Sequence, residues 1–447
     1  MDVTEVLKRP SVERIMEFFA RRPLLDFCMQ LQGALAADEG EDELQLLETA
    51  VHSSPEICEK LLSEEFVDFA AAAAAGDERL QLLVLGALTS VKSIHPLLLK
   101  LVADRSSSVG IVAARLLGRR LKEGGLPAIH DLSAELKILS EPPAKDEVRM
   151  RVLEAILIGS ESSEEFFDYV KADFVSKVLD AFKGDDLLLK LNALELLERM
   201  GSFAAGRKFL VSDATCVQLL ENELSNPDMR GSVALVLSSI GRVEGSKLWS
   251  TVLSLVQSYS QPDLLIGLKS LCALVAYPAG RQHVQREAGL LERLLMKIMD
   301  SSNEEVLKVA CDCVAQLAGL IPVGQLITKG CNLLVTKPFP DVRAHNWRML
   351  NKVIRIMSSE QVSDSILLAG GPVVKVLSDF VSESAYDARV AKWEFVKALM
   401  GDAHLERVVI ATALGPSLTS KLIEYARGGF AWAPAQQAAV LVDRMAS

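Results

Sequence analysis

The pair Cys311-x-Cys313 comes closest to a metal-binding motif in this chain. A helix turns by about 100° per residue, so two residues separated by one position point to nearly opposite sides. Their thiols therefore cannot share one zinc ion, and no second Cys or His pair lies at ligand spacing. The six histidines are scattered, with no two of them four residues apart. We predict core cysteines, with no metal site and no cofactor.

Motifs of common catalytic sites are missing from the sequence. It has no phosphate-binding loop, no dinucleotide-binding glycine pattern, no nucleophile elbow and no zinc-protease helix. The 59 acidic residues are too many for a catalytic carboxylate pair to be singled out. We therefore predict that the protein is not an enzyme.

Composition narrows the class of protein further. The chain has 447 residues, of which 50% are hydrophobic and 5% aromatic, and Leu, Ala and Val favour helices. A single compact core rarely grows to this size, so several domains or one elongated array are expected. The net charge of −11 argues against a nucleic-acid-binding protein.

The absence of targeting signals suggests a compartment. No apolar run approaches the length that spans a bilayer, and the acidic N-terminus lacks the apolar core of a signal peptide. Seven irregularly placed cysteines indicate reduced thiols. We predict a cytoplasmic protein, with the nucleus as a further possibility, and no membrane partner.

The elements that must carry any function are visible in the segment 290–322. It reads as two amphipathic helices joined by a tight turn at Asp300–Asn303, and Gly319 and Pro322 end the second helix. Neither helix can bury its apolar face alone. Similar units must therefore lie on each side.

Turn residues that lead into apolar helices recur along the chain. They are Asp77, Asp104, Asp146, Asp185, Asp228, Asp263, Asn303, Asp341 and Asp387. After a first interval of 27 residues the spacings centre near 40, the period of HEAT and armadillo repeats. The motif at 205–208 also recurs at 279–282, a shift of 74 residues or about two units.

These patterns predict an all-α, right-handed solenoid of HEAT/armadillo-like repeats that forms one domain over residues 1–447. We expect about nine to ten units with a concave surface, an N-terminal cap at about 1–35 and a C-terminal cap at about 405–447. The alanine tract 70–75 is interpreted as a close helix contact.

Two late stretches, 337–348 and 391–399, place large aromatic residues amid charge. Trp and Arg are preferred anchors of protein interfaces. The alternative is that the rings fill the joint between neighbouring units. The candidate partner-binding residues are Phe339, Arg343, Trp347, Arg348, Trp393 and Lys397.

Four motifs together resemble the proteasome non-ATPase regulatory subunit 5 family: LLERLLMKIMD, KPFPDVR, KWEFVKAL and GGFAWAP. The turn Phe339-Pro340-Asp341 and the helix Trp393–Leu399 correspond to family motifs. The resemblance covers roughly the last 200 residues well and the first 200 only through the repeat spacing.

The resemblance implies a non-catalytic chaperone for assembly of the proteasome regulatory particle base. Such a protein would bind the C-terminal domain of a proteasomal ATPase subunit through its concave surface, would occur in base-assembly intermediates, and would be a monomer when free. A different HEAT/armadillo scaffold or adaptor protein remains the alternative. An adaptor that clamps an extended peptide would need a ladder of Asn and Trp, of which Asn346-Trp347 is one pair.

Overall fold

The computed structural model of the chain describes residues 2–8, 10–36, 39–62, 78–90, 96–104, 106–243, 247–337, 339–368, 370–379, 383–401 and 404–430. The alanine tract 70–75 and the end of the expected C-terminal cap, 431–447, lie outside these ranges. The chain divides into two compact units, Met1–Ser212 and Asp213–Ser447. That residues 1–447 form one continuous solenoid stays a prediction.

Unit 1 consists of helices and the turns between them. Its helices are α1 Val3–Leu7, α2 Val12–Arg21, α3 Leu24–Ala36, α4 Glu41–Ser53, α5 Pro55–Leu61, α6 Glu78–Ser90, α7 Pro96–Val102, α8 Ser107–Leu139, α9 Asp146–Ser160, α10 Glu164–Val170, α11 Ser176–Lys183, α12 Leu187–Ser202 and α13 Ala204–Ser212. A π-helical turn, Lys171–Val175, joins α10 to α11. The expected N-terminal cap is helical, and α1, α2 and α3 each pack on α4.

A break inside α8 divides two successive repeats of unit 1. Gly125 has φ 61° and ψ −149°, a conformation that glycine adopts without the steric cost of a Cβ atom. Pro127 follows within the second segment of the helix. The first segment therefore ends one repeat, and the second segment begins the next, which α9 completes. Helices α4, α6, α8, α9 and α12 pack successively as the second helices of the repeats.

Unit 2 repeats the same arrangement. Its helices are α14 Ala214–Glu223, α15 Arg230–Ser239, α16 Leu248–Val256, α17 Gln261–Leu274, α18 Pro278–Arg286, α19 Ala288–Ile298, α20 Glu304–Leu317, α21 Gly324–Thr336, α22 Pro340–Ile354, α23 Ser359–Ser365, α24 Pro372–Ser378, α25 Tyr386–Gly401, α26 Arg407–Leu414 and α27 Pro416–Gly428. The second helices α15, α17, α20, α22, α25 and α27 pack in that order, each on the next.

Two-helix and three-helix repeats alternate in unit 2. A single helix (α16, α21 or α26) precedes α17, α22 and α27, whereas a pair of short helices (α18–α19 or α23–α24) precedes α20 and α25. Two helices are typical of HEAT repeats and three of armadillo repeats. The alternation explains why the 205–208 motif recurs two units later and not one.

Close approach between helices explains the glycine in both copies of this motif. A Cβ atom on Gly280 would lie 2.1 Å from the carbonyl oxygen of Leu274, at the end of α17. A Cβ atom on Gly206 would lie 2.3 Å from the corresponding oxygen of Met200 in α12. Glycine therefore lets the first short helix cross tightly over the end of the preceding second helix.

The predicted turn residues mark the second helices. Within the described ranges, every one of them lies no more than three residues from the start of a second helix. Asn303 accepts a hydrogen bond from the Val306 N–H at 3.0 Å, which caps α20. Asp77 lies outside the described residues. The repeat spacing read from the sequence is confirmed for the other positions.

The core lies between first and second helices. The apolar face predicted for α20 is buried at Val306, Ala310, Val314 and Leu317 and half-buried at Val309, and both Cys311 and Cys313 are 0% exposed. Burial raises the pKa of the Cys311 thiol to about 12. A hydrogen bond with Cys272 and burial raise the pKa of Cys313. Among the described residues, no group of three or more His, Cys, Asp or Glu side chains is arranged to hold a metal ion.

Among the described helices, none is long and apolar enough by itself to span a membrane, whereas the bent pair Gln261–Leu274 and Pro278–Arg286, at 119°, meets the length and composition criteria together.

Candidate partner-binding groove

A groove of about 660 Å³ lies along the late second helices α22 and α25. Asn351 and Arg355 line it from the end of α22. Trp393, Glu394 and Lys397 line it from α25. Two of the residues predicted from the sequence, Trp393 and Lys397, thus lie in one groove. We call this surface the late groove.

Trp347 is the core residue that joins the two helices of the groove. Its side chain is 0% exposed, and its ring centroid lies 5.1 Å from that of Phe395 on α25. A ring without accessible surface cannot contact a partner in this fold. We therefore no longer regard Trp347 as a candidate partner-binding residue. Its ring fills the joint between neighbouring units, which was the alternative interpretation of this residue.

Arg343 also has a structural partner. Its Nε and Nη2 atoms donate to the carboxylate of Glu383 at 2.7 and 3.0 Å, a two-point pairing. The hydrogen bonds to Glu383 raise the pKa of Arg343, and the Glu383 side chain is only 4% exposed. The pair fixes the segment before α25 to the first turns of α22. Phe339, half-buried, occupies the N-cap position of α22.

Trp393 is held as a fixed platform beside the late groove. It is half-buried, and its indole Nε1–H donates to the carbonyl oxygen of Ala426 in α27 at 3.2 Å. The Lys397 ammonium lies over the ring, with its Nζ atom 5.0 Å from the centroid. This distance permits a cation–π interaction. The helix register brings the two together, because residues four apart lie on the same helical face.

A stripe of cations runs along the exposed face of α22 and its C-terminal end. Arg348, Lys352 and Arg355 are all exposed and follow the i, i+4, i+7 spacing of one helical face. Sequence reasoning selected Arg348 and missed the other two. Their spacing relative to Arg348 was the signal that could have found them.

Lys392 on α25 is a buried cation that sequence reasoning also missed. It is 1% exposed, and its Nζ atom donates to the carbonyl oxygens of Val376 at 2.7 Å and Asp379 at 3.0 Å. Desolvation lowers its pKa to about 8, although the carboxylates of Asp379 and Glu383 oppose this shift. These hydrogen bonds join the C-terminal end of α24 to α25.

The late groove therefore combines a fixed aromatic surface with long cationic side chains on two packed helices. Such a surface can bind a partner through aromatic contact and charge–charge attraction. Phe339, Arg343 and Arg348 lie outside the residues that line the groove. Partner binding by Arg348, Trp393 and Lys397, and by Phe339 and Arg343, stays a prediction.

Residues 43–326 match the family described as Proteasome non-ATPase 26S subunit. The human 26S proteasome non-ATPase regulatory subunit 5 is 23% identical over 338 residues, which cover 67% of this chain and 66% of the human protein. The bovine protein of the same name is 23% identical over 336 residues, covering 67% of this chain and 65% of the relative. The match therefore spans just under two thirds of these curated relatives.

A solved structure supports the fold. The crystal structure of Kap121p bound to Pho4p aligns with a TM-score of 0.50 at 14% identity, over 91% of this chain and 50% of that chain. The all-α helical repeat solenoid class predicted from the sequence is confirmed. The late groove lies C-terminal to the family-matched range. Because that range covers more than half of the sequence, the chain belongs to the proteasome non-ATPase 26S subunit family.

Proposed function

We propose that the chain is a non-catalytic chaperone for assembly of the proteasome regulatory particle base. It binds the C-terminal domain of a proteasomal ATPase subunit through a concave surface built from second helices, and the late groove is part of the contact. The observation that carries this proposal is the groove itself, which presents Trp393 and Lys397 on the helical repeats of a family member. We further propose the cytoplasm, and additionally the nucleus, as its location.

Binding by rigid second helices supplies a simple chaperone mechanism. The ATPase domain docks against the exposed faces of α22 and α25, which their buried joint at Trp347 and Phe395 holds in register. While docked, it cannot use the covered surface for contacts in the mature particle. Later assembly steps displace the chaperone. No bond is made or broken, so no catalytic residue is required.

The direct test measures binding to purified C-terminal domains, one from each proteasomal ATPase. We expect one domain to bind, and Trp393→Ala to weaken its binding about 30-fold, the effect of removing an aromatic residue worth about 2 kcal/mol at an interface. Tyr259→Ala is the matched control, because Tyr259 is a 96% exposed aromatic residue outside the groove. Equal binding by wild type and Trp393→Ala, with the helical content unchanged, would remove the groove from the interface.

The peptide-clamping adaptor is the less well supported alternative. It requires Asn and Trp side chains that face the groove. The Asn346 amide is instead 0% exposed and donates to the carbonyl oxygen of Gly330, and Trp347 is buried beside it. The one Asn–Trp pair identified in the sequence is therefore used inside the core.

A further inference from the structure

The last described helices of unit 2 leave an apolar cleft of about 310 Å³ between α25, α26 and α27. Its apolar lining consists of Leu399, Met400, Val408, Ile410, Ala411 and Ile423. Among its described lining residues, only Arg407 and Thr419 carry a polar nitrogen or oxygen on the side chain. Val408 is 78% exposed, so the cleft leaves a branched apolar side chain in water. Covering this surface would stabilise the fold, because removing apolar surface from water is favourable.

The helices around the cleft have fewer neighbours than those of earlier repeats. Within the described ranges, α22 and α25 each pack between two second helices, whereas α27 packs on one, α25. A helical repeat buries its apolar surface against the units on each side of it. The cleft is therefore a surface on which a further element can pack, and the chain itself continues beyond α27.

Residues 431–447 lie outside the described ranges, and their sequence has an amphipathic pattern. Apolar side chains follow the i, i+3, i+4, i+7 spacing of one helical face at Ala438, Leu441, Val442 and Met445. On a helix, Gln436, Asp443 and Ser447 fall on the opposite face. Pro434 directly precedes this pattern, and proline is favoured in the first turn of a helix. The pattern therefore predicts an amphipathic helix from about residue 435.

The direction of α27 determines where this segment begins. The Phe430 ring, just after α27, lies 5.1 Å from that of Tyr386 at the start of α25. Further back, the carbonyl oxygen of Ala426 accepts the hydrogen bond from Trp393. Ile423 lines the cleft together with residues at the end of α25. Thus α27 runs antiparallel to α25, and a helix that turns back after α27 would run towards the cleft.

The length of the segment fits this return path. Ile423 lies about 8 Å along the axis before the end of α27, since a helix rises about 1.5 Å per residue. A returning helix that begins at about residue 435 brings Leu441 to the level of Ile423. It brings Met445 to the level of Thr419. The connection 431–434 is also of ordinary length, because helix–helix connections usually have about 2–8 residues.

We infer that the segment 435–447 docks as an amphipathic helix in the apolar cleft, with the face that contains Leu441, Val442 and Met445 against α26 and α27. This contact covers the exposed side chain of Val408. The cleft and the late groove share the last turn of α25, because Ala398 and Gly401 line the groove. The docked segment would therefore also support that turn. The inference rests on the cleft and the segment, and does not depend on the proposed function.

The first test changes the cleft in the full chain. Val408→Glu places a carboxylate in it, and Val335→Glu is the matched control, because Val335 is 51% exposed on α21 outside the cleft. Hydrogen–deuterium exchange with mass spectrometry follows the amides of 436–447, with a synthetic peptide of residues 431–447 as the unprotected reference. We expect exchange at least about tenfold slower in the wild type and in Val335→Glu than in the peptide, and protection lost in Val408→Glu. Circular dichroism melts check that both variants stay folded.

The second test changes the segment and leaves the cleft intact. Val442 belongs to the predicted docking face, whereas Val440 lies on the opposite side of the same helix. Val442→Glu should remove the protection of 436–447, and Val440→Glu should keep it. Equal exchange in these two variants would overturn the inference, as would wild-type exchange as fast as that of the free peptide.

A second copy of the chain is the other occupant that the cleft could accept. Size-exclusion chromatography with light scattering separates this case. We expect the wild type and Val408→Glu to have the same mass at all concentrations tested. A wild-type dimer that Val408→Glu dissociates, together with fast exchange of 436–447, would assign the cleft to a partner copy and overturn the inference.

Discussion

Replacing Trp347 by Ala should destabilise unit 2 without acting directly on a partner. The ring is 0% exposed and packs against Phe395, so its removal leaves a cavity between α22 and α25. Burial of a large aromatic side chain removes about 150–250 Å² from water, worth ~4–6 kcal/mol at 25 cal/mol per Å². Measured Trp→Ala substitutions in cores cost about 3–5 kcal/mol.

The indole N–H of Trp347 makes us expect a loss of stability near the lower end of this range. The indole Nε1–H of Trp347 is buried and has no hydrogen-bond acceptor among the described residues. Replacing Trp347 by Ala removes this unpaired donor, whose desolvation costs the folded state about 1–3 kcal/mol. We therefore expect a net loss of about 3 kcal/mol. In a unit of this size each kcal/mol lowers Tm by about 2–4 °C, so the transition should fall by about 6–12 °C.

Differential scanning calorimetry measures this shift. Trp347→Phe is the matched control, because it keeps an aromatic ring against Phe395 and removes the orphan N–H, and we expect a smaller loss than for Ala. Trp393→Ala should shift Tm less than Trp347→Ala, because the Trp393 ring is only half-buried. An unchanged Tm for Trp347→Ala together with lost partner binding would refute the reasoning and return Trp347 to the interface.

Three further perturbations test the packing. Gly280→Ala should destabilise the protein by about 1–3 kcal/mol, because the new Cβ would lie 2.1 Å from the Leu274 carbonyl oxygen. Gly289→Ala should stabilise it by up to about 1 kcal/mol, because the new Cβ would have no atom closer than 3.9 Å. Equal effects of the two substitutions in urea titrations would contradict this packing. Lys392→Met tests the lowered Lys392 pKa of about 8, below which the folded wild type carries a buried ammonium. Between about pH 8 and the unfolded-state pKa of 10.5, the folded state loses its proton before the unfolded state does. The free energy of unfolding of the wild type should therefore rise by up to ~3 kcal/mol relative to that of the variant as the pH increases through this range. A constant difference between the two proteins across this range would contradict the lowered pKa. Of the seven cysteines, only Cys272 is not buried, so a thiol reagent should modify one cysteine rapidly in the folded protein and all of them in denaturant; fast modification of several would contradict the burial.

The repeat arrangement was predictable because its signals are local. An Asp or Asn before an apolar helix satisfies exposed N–H groups at the helix start, and Asn303 does so in α20. The spacing of these residues depends only on the length of a repeat. The shift of 74 residues between the two copies of the glycine motif indicated a distance of about two units, but not that two-helix and three-helix repeats alternate.

The role of Trp347 was misassigned because its residue type was weighed above its helical phase. Trp347, Leu350 and Ile354 share the spacing of one face, and all three are buried. Arg348 and Lys352 belong to the next face, which is exposed. The phase of α22 alone was therefore enough to separate the buried face from the exposed face.

Other features depend on contacts between distant segments. Burial of Lys392 follows from the position of α24, and the pairing of Arg343 with Glu383 joins residues 40 apart. Sequence periodicity cannot determine such contacts. The extent of the family resemblance also differs from the expectation: the motifs placed it mainly in the last 200 residues, whereas the family match covers 43–326 and so includes most of the first half.

The most direct test of an assembly chaperone is the composition of the complexes that contain it. The tagged chain is purified from cells and its partners are quantified by mass spectrometry, and a tagged late-groove variant, Trp393→Ala, is purified in parallel. We expect proteasomal ATPase subunits in excess over subunits of the proteolytic core, and their loss from the variant. Recovery of the complete 26S particle in equal proportions, or of no proteasomal ATPase, would contradict a chaperone that leaves before the particle matures.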